Sequence, residues 1–412
     1  DNPAPDWNDV TVISQPAGGI WIQPSDTGSP PPPPPPCGGG DPFVVSGRGF
    51  ARNGQRFDWR GITAFTLWKR YLDGENITSR LTWYRDNGVT VLRVIGMLGA
   101  WTNYDDYHFL EGLPGENQKR NWNHGPDSYA AYYTSLSGFA TLLGSYNLAL
   151  EFVVFADAQL VPNMSSQTSR ITHIERVTDA FRSNPNVFLQ VANEPAFNGF
   201  TTDIASTLSE LAQRAKDIDP LRMVSLGADT GPEGSQDLNI PPSDYFSFHG
   251  YRDDRDSNWR WITLQENFPP VTQSRRPVVN DEPMNANVQS DFPYTQRRDW
   301  DGESSHWGAF ALLSRFRRFM TTFHYNGGLW AITPNNWTTT VLPLYTSWKA
   351  GLDAVGFDYN GEYFRGGGSA SPFVHPTGND PRLLVGRAGP TETLAMAADI
   401  PSGWIPTMKP GW

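Results

Sequence analysis

The chain contains one cysteine, Cys37, in 412 residues. A single cysteine cannot form an internal disulfide, so a fold held together by disulfides is excluded. The chain also lacks an apolar run near the roughly 18 residues of a membrane span and any run of basic residues. Its formal net charge is −11. Because phosphate backbones are bound by clustered positive charge, we expect no nucleic-acid partner. Because a long apolar run is missing, we expect no membrane span.

Several short motifs of other enzyme classes are missing as well. The chain has no His-Glu-x-x-His metal motif, no cysteine pair, no Gly-x-Ser-x-Gly nucleophile elbow and no glycine-rich phosphate loop after a strand. We therefore expect no metal ion and no organic cofactor.

Aromatic residues, by contrast, are abundant, with 16 Trp and 15 Tyr. Each combines a rigid apolar face with a polar tip, which suits the face and the hydroxyl rim of a sugar ring. Core packing is the better expectation for any one of them. The long segment 96–126 is rich in aromatic residues, and we interpret it either as substrate subsites or as a small core that pins the loop.

Composition divides the chain into three parts: an N-terminal segment with a Pro/Gly spacer (1–40), a central domain (41–356) and an irregular C-terminal extension (357–412). The run Pro30–Pro36 predicts a stiff polyproline II rod. The segment before it can form two short strands but no core of its own, so we expect it to dock on the central domain or on a partner. An assembly or surface partner would bind through this arm or the C-terminal tail.

The central part alternates short β-rich apolar runs with stretches of helical spacing, which predicts βα units around a parallel sheet. Eight such runs favour the α/β class and a closed (β/α)8 barrel. The predicted strands are 56–63, 89–95, 148–156, 187–192, 223–227, 245–249, 277–280 and 328–332. The predicted helices are 75–87, 128–146, 168–183, 202–218 and 305–323.

Two of these strands end in the same motif, Asx-Glu-Pro. Asn193 and Glu194 end the fourth strand, and Asp281 and Glu282 end the seventh. Strand ends of such a barrel form one face, so both glutamates should point into one mouth, and the following prolines favour an extended backbone. Each motif alone could simply mark a strand exit. Together they match the two carboxyl groups that glycosidic bond cleavage requires.

These motifs resemble those of clan A glycoside hydrolases, whose catalytic glutamates end strands four and seven. Within the clan, the chain is most similar to family 5, the cellulase-like enzymes, over roughly residues 43–355. The family also carries an Arg on strand two, an Asn before the first glutamate, a His-x-Tyr on strand six and a Trp on strand eight. The matching residues here are Arg93, Asn193, His249, Tyr251 and Trp330.

The resemblance implies a retaining glycoside hydrolase that cleaves β-glycosidic bonds of a poly- or oligosaccharide through a glycosyl-enzyme intermediate. Glu194 would be the acid/base, protonated before the reaction, and Glu282 the nucleophile. Arg93 would hold Glu282 ionised, and Tyr251 would position it. The chain begins at Asp1 rather than Met, and we expect a processed, secreted or surface-displayed protein.

The other family residues imply contacts with the sugar. Asn193 would donate to the 2-hydroxyl group, and Trp330 would form the floor beneath the reacting sugar. His249 would contact the sugar or belong to the acid/base network. Two departures stand out: Asp157 occurs where many family members have a His, and Asp281 neighbours Glu282, although alternation along a strand should point the two in opposite directions.

Two other functions remain open at this point. The chain could be a non-catalytic carbohydrate-binding or structural protein, for example a component of a virion surface, on a glycosidase-like barrel. The proline spacer, the short N-terminal segment and the irregular tail favour that alternative. A transglycosylase that uses the same two glutamates is the other.

Overall fold

The computed structural model covers most of the central part of the chain. It describes residues 40–98, 124–156, 164–196, 198–200, 203–228, 238–250, 276–283, 307–308, 310–311, 314–315, 319–324 and 342–353, and the backbone of 10–14, 20–24, 383–387 and 393–398.

The regular elements are numbered here in chain order. The strands are β1 (Val10–Ser14), β2 (Ile20–Pro24), β3 (Val44–Ser46), β4 (Gly49–Arg52), β5 (Gln55–Phe57), β6 (Gly61–Thr63), β7 (Val91–Ile95), β8 (Ala149–Phe155), β9 (Val187–Asn193), β10 (Met223–Ala228), β11 (Phe246–His249), β12 (Val278–Glu282), β13 (Met320–Phe323), β14 (Leu383–Arg387) and β15 (Thr393–Ala398). The helices are α1 (Leu67–Leu72), α2 (Thr78–Asp86), α3 (Tyr132–Ser145), α4 (Gln167–Phe181), α5 (Ile204–Ile218) and α6 (Leu342–Asp353).

Strands β6 to β13 form one eight-stranded parallel sheet in the order β10-β9-β8-β7-β6-β13-β12-β11. The pairing of β13 with β6 joins the last of these strands to the first. Hydrogen bonds also bridge β10 and β11: Asp244 N–H donates to the Val224 carbonyl at 2.8 Å, and the Ser225 and Ser247 hydroxyls lie 2.5 Å apart. The sheet is therefore a barrel, and the predicted (β/α)8 fold is confirmed.

The barrel strands are buried on both faces, which explains their apolar composition. Every residue of β7, β8 and β10 is buried. Helices cover the outside. In α5, for example, Leu208, Leu211, Ala212 and Ala215 repeat at helical spacing and are all buried in the main core.

Aromatic side chains fill the N-terminal end of the barrel. Strands β3, β4 and β5 form a small antiparallel sheet. From this region Phe43 and Phe50 contact Phe188, near the start of β9, with ring centroids 4.5 Å and 4.9 Å apart. Tyr245, just before β11, belongs to the same cluster. The N-terminal end is therefore packed core, and a functional site is expected at the C-terminal end of such a barrel.

The prediction for the eighth strand was wrong. The structure places β13 at Met320–Phe323, inside the helix predicted at 305–323. The predicted strand 328–332 lies outside the described residues. No glycine or proline separates Met-Thr-Thr-Phe from the helical pattern before it, so the spacing of apolar residues runs on without a break. Pairing with β6 and β12, which is not visible in the local sequence, determines the strand.

The two ends of the chain also contain strands. β1, β2, β15 and β14 form a four-stranded antiparallel sheet in that order, in which Trp21 pairs with Ala397 and Ile20 with Ala398. The short N-terminal strands thus pair with a hairpin from the C-terminal extension, whose sequence predicted no regular structure. Of the helices that the structure describes, none has the length and apolar character needed to cross a membrane.

His173 on α4 should make the stability of the fold depend on pH. Burial, reinforced by the charge of Arg176, lowers the pKa of His173 to about 3. Below its unfolded pKa near 6.5, the unfolded chain therefore takes up a proton that the folded chain does not. This contribution vanishes above about pH 7 and lowers the free energy of unfolding by about 2 kcal/mol at about pH 5.

The variant His173→Phe keeps an aromatic ring among Tyr132, Tyr133 and Phe155 and removes the titration. Urea unfolding near pH 8 and near pH 5 should give a pH-dependent loss of stability that is about 2 kcal/mol smaller in the variant than in the wild type. Equal losses in the two proteins would show that His173 is not the group responsible.

Candidate active site

Polar side chains from five barrel strands come together inside the barrel, toward its C-terminal end. The residues concerned are Arg93 on β7, Gln190, Asn193 and the following Glu194 on β9, His249 on β11, Asp281 and Glu282 on β12, and His324 after β13. They include five of the seven residues that the sequence predicted for the site. The other two, Tyr251 and Trp330, lie outside the described residues, as do Asp157 and residues 99–123 of the long aromatic segment.

The two predicted glutamates face each other. A carboxylate oxygen of Glu194 and one of Glu282 lie within 4.8 Å. The Glu282 side chain is only 6% exposed, whereas that of Glu194 is 23% exposed. The pair therefore has one enclosed carboxyl group and one that solvent or a ligand can reach.

Arg93 is the centre of the hydrogen-bond network. Its side chain is entirely buried, and Nη1 donates to Glu282 Oε1 at 2.7 Å. Nη2 donates to Asn193 Oδ1 at 2.7 Å and to Gln190 Oε1 at 2.9 Å. Because all contacts of a guanidinium are donated, it fixes the orientation of both amides with their oxygens toward Arg93. The Asn193 amide nitrogen is left to donate elsewhere, as its predicted role requires.

His249 bridges the two glutamates. Its Nδ1 lies 3.1 Å from Glu194 Oε1, and its Nε2 lies 3.4 Å from Glu282 Oε1. Nε2 is also 3.5 Å from Nη2 of Arg93, which can only donate. A proton on Nδ1 lets the ring donate to Glu194. Of the two roles predicted for His249, the geometry favours membership of the acid/base network.

The sequence analysis missed His324. This residue directly follows β13, and its Nε2 lies 3.6 Å from the second oxygen of Glu282, Oε2. Thr63, at the end of β6, holds the ring through a 3.0 Å hydrogen bond to Nδ1. The signal was present, since His324 is a polar residue at a strand end, but the strand itself had been predicted eight residues too late.

The backbone at Glu194 is not extended, contrary to the prediction from Pro195. Its φ is +39°, in the left-handed region that L side chains seldom adopt. The reason is the turn that follows β9. Glu194 N–H donates to the Ala228 carbonyl on β10 at 2.7 Å, and the Glu194 carbonyl accepts from Asn198 N–H at 3.0 Å. These bonds turn the chain sharply and place the side chain over the mouth of the barrel.

Asp281 and Glu282 do not point in opposite directions, so the expectation from alternation was wrong. Asp281 Oδ2 lies 3.9 Å from Arg93 Nε, and Glu282 lies 2.7 Å from Nη1 of the same arginine. The cause is an irregularity in the pairing of β11 with β12, where Phe248 pairs with Asn280 but His249 pairs with Glu282. Asp281 is the extra residue, and such a bulge re-aims the side chains around it.

Below the glutamates lies a second acidic layer. Burial raises the pKa of Asp281, and the charges of Arg93 and His249 oppose that rise. Burial raises the pKa of Glu151 on β8 well above its ordinary value, and the neighbouring Asp281 raises it further. Tyr245 donates its hydroxyl proton to Glu151 Oε1 at 2.9 Å. No sequence motif predicted this layer, because Glu151 lies in mid-strand within an apolar run.

Glu194, His249 and Glu282 also have the composition of a metal site. Among the described residues, they form a cluster whose ligand atoms all lie within 4.8 Å of one another. Two carboxylates and an imidazole suit a divalent transition metal. Arg93 already supplies a positive charge to Glu282, however, and each nitrogen of His249 faces a protein group, so the cluster is electrostatically satisfied without an ion.

Comparisons with known proteins support the fold. No protein-family model matches the chain, and no curated protein matches its sequence. A solved structure described as a glycoside hydrolase superposes with a TM-score of 0.56 at 15% identity, over 84% of this chain and 83% of that one. At such identity the likeness establishes a common barrel fold.

Two further solved structures are similar. The β-glucanase SdGluc5_26A from Saccharophagus degradans gives a TM-score of 0.52 at 14% identity, over 76% of this chain and 93% of its own. A glycoside hydrolase family 5 mannosidase from Rhizomucor miehei, in complex with mannosyl-fructose, gives 0.50 at 13% identity, over 76% and 98%. The predicted resemblance to family 5 is thus confirmed at the level of the fold.

Arg93 should contribute strongly to stability at neutral pH. Its replacement in Arg93→Met leaves buried carboxylates without a cation, and breaking such a pair costs about 3–5 kcal/mol of the free energy of unfolding. Below about pH 4 the carboxyl groups can take up protons, so the loss should become smaller there. Urea unfolding at both pH values measures the difference.

Arg85→Met is the matched control, because Arg85 pairs with Asp86 on the surface with both side chains about half exposed. This control should leave the free energy of unfolding nearly unchanged. If Arg93→Met were as mild as the control, or equally destabilising at both pH values, the buried ion pair would not have the importance assigned to it.

Proposed function

We propose that the protein is a retaining glycoside hydrolase that cleaves β-glycosidic bonds by double displacement, with Glu282 as nucleophile and Glu194 as acid/base. The observation that carries this proposal is the separation of the two carboxyl groups, within 4.8 Å. Retaining enzymes hold their carboxyl groups about 5–5.5 Å apart, and inverting enzymes about 6.5–9.5 Å, to leave room for water. The barrel fold shared with glycoside hydrolases supports the same reaction class.

In the first step Glu282 attacks the anomeric carbon while Glu194 gives its proton to the glycosidic oxygen, which leaves with the aglycone. The bond from the sugar to that oxygen breaks, and an ester between the sugar and Glu282 forms. Arg93 Nη1, 2.7 Å from Glu282 Oε1, favours the carboxylate form of the nucleophile and fixes its direction. Glu194 is the more exposed of the pair, as a group that must reach the leaving oxygen should be.

In the second step Glu194, now ionised, takes a proton from water, and the water oxygen displaces Glu282 from the anomeric carbon. His249 lies between the two glutamates and can donate to Glu194 in its ionised form. Asn193, with its oxygen held by Arg93, directs its amide nitrogen outward to the sugar 2-hydroxyl group, a bond that strengthens in the transition state.

The substrate class we propose is a β-linked poly- or oligosaccharide, with β-glucan and mannan as the first candidates. The β-glucanase and the mannosidase whose folds are similar suggest these two polymers. Because such polymers are extracellular, we also propose that the protein acts as a secreted or surface-displayed enzyme. Activity on a panel of β-glucans, mannans, xylans and aryl glycosides identifies the sugar and the linkage.

Removal of either glutamate should abolish most of the activity while sugar binding persists. We expect Glu194→Gln and Glu282→Gln each to lower kcat/KM on a polymer by about 100- to 10,000-fold. Glu210→Gln on the exposed side of α5 is the control and should behave as the wild type. A non-catalytic binding protein would keep its binding function in all three variants and show no activity to lose, which would refute the enzyme proposal.

The covalent intermediate gives the sharpest test. An aryl glycoside with a good leaving group needs little acid catalysis, so Glu194→Ala should form the intermediate and then stall, because no base activates water. Mass spectrometry should detect one added glycosyl group on Glu282, and azide should release it as a glycosyl azide of retained configuration. A first-formed product of inverted configuration would refute double displacement, and transfer to added sugars would indicate a transglycosylase.

The proposed reaction needs no metal ion, because Arg93 supplies the positive charge at the nucleophile. Incubation with EDTA followed by its removal should leave kcat and KM unchanged. Added zinc should inhibit by occupying Glu194, His249 and Glu282. Loss of activity after chelation, restored by a divalent cation, would contradict this arrangement.

A further inference from the structure

A pair of carboxyl groups lies in the barrel interior below the proposed nucleophile. Glu151 on β8 and Asp281 on β12 are both entirely buried. Each has one oxygen with a donor: Glu151 Oε1 accepts from Tyr245 at 2.9 Å, and Asp281 Oδ2 accepts from Gln190 Nε2 at 2.7 Å. The other oxygens, Glu151 Oε2 and Asp281 Oδ1, are buried without any donor.

The two carboxyl groups interact directly with each other. Two acceptor oxygens without a donor, both shut off from water, are costly because each would lose its hydration without replacement. One proton placed between them satisfies both at once: the protonated oxygen donates and the other accepts. A hydrogen bond between the two oxygens therefore satisfies both if one of the groups is a carboxylic acid.

The charges in this part of the barrel lead to the same conclusion. Three acidic residues, Glu151, Asp281 and Glu282, surround the single guanidinium of Arg93, and all three act on it electrostatically. Of these acidic residues, Glu282 makes the 2.7 Å contact with Arg93. One positive charge cannot compensate three buried negative charges. Like charges in a shared buried site force one group to stay neutral.

Glu151 is the better holder of the proton. Arg93 and His249 both oppose the rise in the pKa of Asp281, and Gln190 donates to its ionised form. For Glu151 the two largest effects, burial and the neighbouring Asp281, both raise the pKa, and the lowering effects of Arg93 and of the Tyr245 hydrogen bond are smaller. Asp281 is therefore the carboxylate and Glu151 the acid.

We propose that Glu151 is a positioning residue that remains protonated and donates a hydrogen bond from Oε2 to Asp281 Oδ1, and so fixes the network that aims Glu282. The chain of contacts is continuous. Asp281 holds Gln190 Nε2, Gln190 Oε1 accepts from Arg93 Nε at 3.1 Å, and Arg93 Nη1 holds Glu282. Only the last link, the aim of the nucleophile, rests on the proposed function.

The proton itself can be observed without any substrate. Infrared difference spectra of the wild type minus Glu151→Gln, recorded near pH 8, should contain the carbonyl stretching band of a protonated carboxylic acid, shifted on transfer to D2O. Glu194→Gln is the control, since its difference spectrum should not contain the band assigned to Glu151. If the wild type minus Glu151→Gln spectrum contains only carboxylate bands, Glu151 is ionised and the inference is overturned.

Activity tests the positioning role. Glu151→Gln retains a neutral side chain that can donate to Asp281, so kcat/KM should stay within about threefold of the wild type, with an unchanged pH profile. Glu151→Leu removes the donor and should lower kcat about 10- to 100-fold with little effect on KM, because the nucleophile is misaligned. An ionised Glu151 would instead make Glu151→Gln lose a negative charge and move the acidic limb of the profile to lower pH.

The outcomes separate the two proposals. A carboxylic acid band in a protein that hydrolyses no sugar would refute the proposed function and leave the proton assignment standing. A missing band in an active enzyme would overturn the assignment alone. Circular dichroism and urea unfolding of the two Glu151 variants ensure that the comparison is made between folded proteins. Equal loss of kcat in the Gln and Leu variants would also overturn the positioning role.

Discussion

The site is organised by one buried cation. Arg93 donates to Glu282, Asn193 and Gln190 from a position closed to solvent. Because a guanidinium has donors in a fixed plane and no acceptor, each neighbour must turn an oxygen toward it. That requirement orients the amide of Asn193 toward the mouth of the barrel and leaves the two deeper carboxyl groups to share one proton. The direction of the Glu282 carboxylate therefore depends on a cation buried beside it.

Sequence reasoning succeeded where a residue's position depends only on the strand that it ends. Glu194 and Glu282 were predicted because strand ends of a barrel share one face, and Arg93, Asn193 and His249 because they match the family pattern. The structure brings all five together. The interior residues below them were not predicted. Glu151 and Gln190 lie in mid-strand, and what they touch depends on which strands face each other across the barrel. No local pattern carries that information.

The remaining errors have a similar cause. The same Asx-Glu-Pro motif occurs twice, yet Glu194 turns into the left-handed region while Glu282 stays in its strand beside an inserted residue. Proline restricts the backbone conformation of both glutamates, but hydrogen bonds to neighbouring strands determine which allowed conformation each one adopts. The eighth strand was misplaced because β-sheet pairing outweighed an unbroken helical spacing of apolar residues. In each case, pairing with strands that are distant in sequence outweighed the local conformational preference of the residues.

The antiparallel sheet built from both ends of the chain has a consequence for how the barrel is attached. Two separate stretches, 25–39 and 354–382, link this sheet to the barrel, so one peptide bond can be cut in either without releasing it. Attachment through two tethers keeps the effective concentration of each unit near the other high after one tether is lost. A single proteolytic event would therefore leave the barrel and the terminal sheet together.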